Sequence, residues 1–224
     1  MTDRAPRGVL VWRWPAAVDA LSSAGVGGGV SRPCWVINIG VDSGYGRTDL
    51  TDHATEVSAE IGLPGDGVAL FTAADVTRPA RSAAGGVTVH ATVGVSHPTW
   101  AAGHRHLCTG DSATAAEPSR VDPTPGQSAI PAGAPRPGTI NLVIQVPVGL
   151  DGGAGVNAVI TATEAKTQAL LEAGVDGTGT ATDAVVVVWP SAAERSERFA
   201  GPRSPWGARI GRCVHAAVRE GLAT

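Results

Sequence analysis

The chain is nearly devoid of lysine. Lys166 is the only one, and the other basic residues among its 17 lysines and arginines are all arginine. Aromatic residues are also scarce, at 4% with a single tyrosine, which argues against a base-stacking platform for nucleic acid. No charge of either sign dominates: the formal net charge is -3, so neither nucleic acid nor an anionic membrane is implied as partner. Cysteine is rare and odd in number, with Cys34, Cys108 and Cys213 far apart, which reads as reduced thiols rather than a disulfide framework. No apolar run approaches the length that spans a bilayer. The arginine-bearing start, MTDRAPRGVLVWRWP, is too short in apolar residues for a signal peptide. The expected compartment is the cytoplasm.

What is present is enough for a core. At 224 residues with 43% hydrophobic content, the chain fits one domain spanning residues 1–224, interrupted by an insertion. Residues 109–137 are rich in Ala, Ser, Pro, Gly and Thr and poor in bulky apolar side chains. Such a stretch cannot offset its ordering entropy by burial and is expected to be a disordered surface insertion. The segment just before it, His104-Arg105-His106-Leu107-Cys108, alternates possible metal ligands but lacks an evident fourth.

Around the insertion, strand and helix patterns alternate. Residues 9–14, 17–21, 67–72, 86–96, 139–146 and 183–189 read as strands. In 33–42, Trp35, Ile37, Ile39 and Val41 form an apolar face. Val36, Asn38, Gly40 and Asp42 form a small, polar face that suits solvent or a pocket. The 183–189 run is near-continuously β-branched and predicts a strand buried on both faces. Helices are expected at 50–61, where His53 flanks the apolar stripe, at 155–173 and after the Ser204-Pro205 cap. The second helix ends at Gly174 and has an inward stripe of Val156, Ile160, Thr163, Thr167 and Leu170. The last presents Ile210, Val214, Ala217, Val218 and Leu222 inward. Three helices among many strands predict an α/β (α+β) fold: a mixed sheet with helices packed on it.

The chemistry concentrates between residues 138 and 190. The loop at 177–182 offers backbone N–H groups and three hydroxyls, a nest suited to an oxyanion, a phosphate or ligand amides, with Asp183 at its exit. It lacks the ending of a P-loop and the spacing of a dinucleotide fingerprint. No G-x-S-x-G elbow or H-E-x-x-H pair occurs. Glu164 and Lys166, two residues apart, fall on opposite sides of the helical stripe. Glu164 also fits a capping box with Thr161, and Lys166 fits a snorkelling side chain. A compact ammonium kept where arginine is otherwise used is nonetheless suggestive. Asp75 and His97 follow strand ends and could meet at one sheet edge, where open α/β sheets place ligands.

These stretches together resemble the adenosylcobinamide amidohydrolases (CbiZ). The likeness rests on LSSAGVGGG at 21–29, ALFTAADV at 69–76, VHATVGVSHP at 89–98, PGTINLVI at 137–144, TATEAKTQAL at 161–170, TGTATDAVVV at 178–187, and FAGP with GARIGRCVHAAV at 199–218. TATEAK followed by TGT-x-TD is its specific part. The resemblance implies a salvage hydrolase that cleaves the amide between the corrin propionate arm and aminopropanol, giving adenosylcobyric acid and 1-amino-2-propanol. It implies a corrinoid substrate that brings its own cobalt, and no cofactor or metal site of the enzyme. Its motif positions are Asp75, Asn141, Glu164, Lys166, Thr178, Gly179, Thr180 and Asp183. Ala181 stands where the family tends to have glycine, and His97 where it tends to have asparagine.

Amide hydrolysis needs an activated water or nucleophile, an oxyanion site and a proton for the leaving amine. Catalysis is accordingly expected from Glu164 or Asp183 as base and Lys166 as acid or electrostatic group. Substrate binding is expected from Asn38, Asp75, His97, Asn141, Thr178, Gly179 and Thr180. The alternatives are a non-catalytic corrinoid binder, an amidohydrolase or transferase for another substrate, and metal-dependent hydrolysis through His104, His106 and Cys108.

Overall fold

The computed structural model describes residues 7–102, 138–191, 193 and 196–223. The histidine–cysteine segment at 104–108 and the insertion at 109–137 lie outside the described residues. Strands β1 (Val9–Arg13), β2 (Asp19–Ser22), β3 (Gly29–Ser31) and β4 (Trp35–Gly40) come first, followed by α1 (Leu50–Glu60). Next are β5 (Gly67–Thr72), β6 (Ala80–Ala84), β7 (Val87–Val93), β8 (Ile140–Gln145) and β9 (Gly149–Leu150). Helix α2 (Gly152–Glu172), β10 (Ala184–Trp189), β11 (Ser196–Glu197) and α3 (Pro205–Leu222) complete the order. The three expected helices are present, and the strand set divides between two mixed sheets. One has the order β1-β4-β5, the other β3-β2-β10-β8-β7-β6, with β11-β9 a small separate pair. In each large sheet one neighbouring pair is parallel, β4 with β5 and β10 with β8.

The two sheets stack face to face, with a helical layer on each outer side. Ala54 and Val57 of α1 pack on Trp35, Ile37, Ile39 and Ala69. Between the sheets, Val36, Val68 and Leu70 meet Ala20, Val143, Val186 and Val188. On the far side, α2 and α3 cover Val89, Leu142, Ile144, Val185 and Val187. The polar face of β4 therefore meets neither bulk solvent nor an open pocket. A second sheet covers it, and every residue of β4 is buried. Asn38, 1% exposed, answers this burial by donating to Thr92 Oγ1 at 2.9 Å and accepting from Asn141 Nδ2 at 3.0 Å. A buried amide so paired avoids the cost of an unmade hydrogen bond. The glycine run after β2 serves both as a turn and as a close approach. Gly27, at φ +70°, comes so near the Gly67 carbonyl that a Cβ would collide with it.

Helix α2 presents a different face from the one its large side chains suggest. It starts at an Asp151 N-cap, whose carboxylate accepts from Ala154 N at 2.7 Å. Thr161 to Glu164 lies in its interior, so Glu164 closes no capping box. The buried residues are Ala154, Gly155, Ala158, Thr161, Ala162, Ala165, Lys166, Ala169 and Leu170. Val156 and Ile160 are instead 48% and 50% exposed. The helix is pressed against α3 and the sheet, and small residues permit that approach: an ideal Cβ on Gly155 would lie 3.1 Å from the Trp189 ring. Helix α3 matches its pattern, with Ser204 accepting from Gly207 N and Pro205 in its first turn.

Candidate functional site

A cleft of about 520 Å³ opens at one end of the two stacked sheets. Chain segments leaving β2, β4 and β5 supply Ser23, Asp42, Tyr45, Arg47, Thr72 and Ala73. Segments entering β8 and β10 supply Thr139, Asn141, Ala181, Thr182 and Asp183. The site thus lies at the carboxyl ends of the parallel pair β4–β5, the usual ligand side of such strands.

One wall is the turn between α2 and β10. Lys166, buried on α2, donates its ammonium to Asp183 Oδ2; the two side chains are 8% and 12% exposed. Asp183 accepts three further bonds, from Thr180 N to Oδ2 at 3.1 Å, Thr180 Oγ1 to Oδ1 at 2.5 Å and Ile140 N to Oδ1 at 2.9 Å. Four donors occupy the roughly four lone-pair sites of a carboxylate. Gly179 is required here, because a Cβ would strike both the Asp183 carboxylate and the Lys166 ammonium. The turn is latched from behind. Thr178 N donates to Thr99 O at 2.9 Å, Thr99 N to Gly179 O at 2.8 Å, and Thr167 Oγ1 to Thr178 O at 3.0 Å. Thr178, Gly179 and Thr180 therefore build the turn, while Ala181 and Thr182 form its tip on the cleft. Among the described residues, the N–H groups of Ala181 and Thr182 meet no acceptor. Asn141 Nδ2 spends both hydrogens, on Asn38 Oδ1 and on the Phe71 carbonyl, each at 3.0 Å. Its Oδ1 receives no bond from the described residues and belongs to a side chain on the cleft.

The structure brings Lys166, Asp183, Thr178, Gly179, Thr180 and Asn141 together and places Asn38 directly behind Asn141. The remaining sequence candidates lie elsewhere. Glu164 is exposed on the outer side of α2, bordering a shallow groove with Gln168 and Leu171. The regular helix turns it away from Lys166, as its spacing implies. Asp75 is exposed and closes its own turn, accepting from Thr77 N at 2.8 Å and Thr77 Oγ1 at 2.7 Å. Those bonds hold its carboxyl below its ordinary value. His97 is exposed beyond β7, and among the described residues no hydrogen bond joins it to Asp75.

The opposite wall, the segment after β4, holds none of the site residues expected from the sequence. The Tyr45 ring stacks on Phe71 with centroids 5.9 Å apart, and its hydroxyl lies 2.7 Å from His53 Nδ1. Burial pushes the Tyr45 phenol up. Arg47 is forked between two carboxylates, with Nη1 to Glu56 Oε2 at 2.7 Å and Nη2 to Asp49 Oδ2 at 2.6 Å. Its hydrogen bonds hold both acids low, and theirs, Glu56 foremost, raise the guanidinium. Asp42 pairs with Arg7 Nε at 3.2 Å. The signal that could have found this wall is the Arg47-x-Asp49 pair with Glu56 about two helical turns beyond, a charge cluster around the chain's single tyrosine.

The profile of the CbiZ family, described as adenosylcobinamide amidohydrolase, matches residues 1–224. An adenosylcobinamide amidohydrolase of Halobacterium salinarum is 33% identical over 202 residues, covering 89% of this chain and 78% of the relative. One of Methanosarcina mazei is 36% identical over 93 residues, covering 38% of this chain and 46% of that protein. A match that runs from the first residue to the last shows that the chain belongs to the adenosylcobinamide amidohydrolase family.

Proposed function

We infer that the protein hydrolyses the amide joining the corrin propionate arm of adenosylcobinamide to aminopropanol, releasing adenosylcobyric acid and 1-amino-2-propanol for corrinoid salvage. The observation that carries this is the family match over the whole chain. The cleft agrees with it: about 520 Å³ accepts a side arm but not an adenosylated corrin ring, so the arm enters and the ring rests on the rim. The cobalt enters with the substrate, and the reading calls for no cofactor of the enzyme. Among the described residues no helix is long and apolar enough to cross a membrane. We place the work in the cytoplasm, where Cys34 and Cys213, which are both unpaired, would stay reduced.

In this reading the Ala181 and Thr182 N–H groups receive the carbonyl oxygen as it gains charge. Asn141 Oδ1 accepts the N–H of the scissile amide and sets its orientation. The Lys166–Asp183 pair holds the turn in shape, with the ammonium balancing the charge of the carboxylate that the turn wraps. Of the two carboxylates considered as base, Asp183 is the one on the cleft. To take a proton from water it must release one of its four donors, and the rotatable Thr180 hydroxyl is the one able to turn away. Incubation of the protein with adenosylcobinamide, followed by mass spectrometry, is expected to show a new corrinoid carboxylic acid and an equal amount of aminopropanol. A change in corrinoid absorbance with no new acid would make the protein a binder instead.

A further inference from the structure

Tyr45 borders the cleft across from the Ala181–Thr182 tip, and His53 on α1 lies behind it. The three rings of Tyr45, His53 and Phe71 pack on one another, with His53 centroids 5.5 Å from each of the other two. Tyr45 is thus held by stacking as well as by its 2.7 Å bond to His53 Nδ1. The charged groups around it are Arg47, Asp49 and Glu56, and the two acids are already bound to the guanidinium. Among the described residues, the titratable side chain bonded to the phenol oxygen is the imidazole of His53.

We propose that Tyr45 is the acid that protonates the leaving amine, and that His53 positions Tyr45 and restores its proton. The inference rests on the amide-hydrolysis reading and adds a residue to it. Water adds its oxygen to the amide carbon, and the carbonyl oxygen takes up charge against the opposite wall. As the C–N bond breaks, the Tyr45 hydroxyl proton passes to the departing nitrogen. His53 Nδ1 then returns a proton to the phenolate oxygen, and the proton lost by the attacking water replenishes the imidazole through solvent. The phenol carries its proton at neutral pH, as an acid must before the C–N bond breaks, and the 2.7 Å bond to His53 Nδ1 holds its oxygen where that proton can be replaced.

The test compares leaving groups that do and do not need a proton. Tyr45→Phe preserves the stack on Phe71. It is expected to lower kcat on adenosylcobinamide about 100-fold with KM little changed, the scale of general acid catalysis. On the p-nitrophenyl ester of the same propionate arm, whose leaving group departs without a proton, the same variant should match the parent within about three-fold. His53→Gln should follow the same pattern at about ten-fold on the amide, with no loss on the ester. Equal losses on amide and ester, or Tyr45→Phe within about two-fold of the parent on the amide, would overturn the proposal. A wild-type protein that released no aminopropanol would instead overturn the hydrolytic reading, and this inference with it.

Discussion

The two walls of the cleft hold charge in different ways. On the turn between α2 and β10, one ammonium and one carboxylate are buried together, and every acceptor site of the carboxylate is filled. On the segment after β4, Arg47 meets Asp49 and Glu56 at the surface, and the polar group turned to the cleft is a half-buried, neutral phenol. Exposed pairs contribute little to stability, whereas a buried pair is costly to break, because removing one partner strands the other charge. The first wall is thus a rigid fixture that shapes a backbone turn. The second keeps a protonated hydroxyl beside a group that can refill it.

Breaking the fixture should have the largest effect. Lys166→Met leaves Asp183 buried without its counter-charge and is expected to destabilise the fold by about 3–5 kcal/mol, read from urea midpoints. Release of aminopropanol should fall with it, because the Ala181–Thr182 tip loses its support. Retention of parent stability and rate by Lys166→Met would erase the contrast between the walls.

A smaller effect sharpens the other side. Tyr45 is the chain's single tyrosine, so absorbance near 295 nm follows its ionisation alone. Burial raises its pKa from the ordinary 10.0, so the folded protein should titrate above that pH. A raised folded value means that the stability linked to Tyr45 is complete below pH 10 and is lost as pH climbs through the folded pKa. Urea midpoints of the wild type should therefore fall more steeply above pH 10 than those of Tyr45→Phe. A phenol that titrates at or below 10.0 would place Tyr45 in open water and remove the contrast.

The same contrast explains what could be read from the chain alone. The β-branched run of β10 and the amphipathic stripe of α3 are dictated by burial, and the structure keeps both. Lys166 and Asp183 stood out because a lone lysine and a Gly/Thr turn are local signals. Helix α2 misled because periodicity weighs large side chains, whereas its tight contact with α3 and the sheet selects Ala154, Ala158, Ala162 and Ala169. The sequence leaves Asn38 facing solvent or a pocket, because nothing in a single strand announces a second sheet across its polar face. Hairpin strand β6, with the sequence ARSAA, carries no alternation and is set by its pairing with β7 across Gly85 and Gly86, both at positive φ. The Tyr45 wall depends on a loop folding back on α1, a contact that no local pattern encodes.

The claim on which the rest stands is that the propionate arm is cleaved in the cleft between these walls. Ala181 is exposed at the cleft mouth, so a tryptophan there fills the space without disturbing the core. The direct measurement is the rate of aminopropanol release by Ala181→Trp, alongside its urea midpoint. The account predicts an unchanged midpoint and a rate reduced at least about 100-fold, as a misplaced reacting group implies. A folded Ala181→Trp protein working at the parent rate would contradict it.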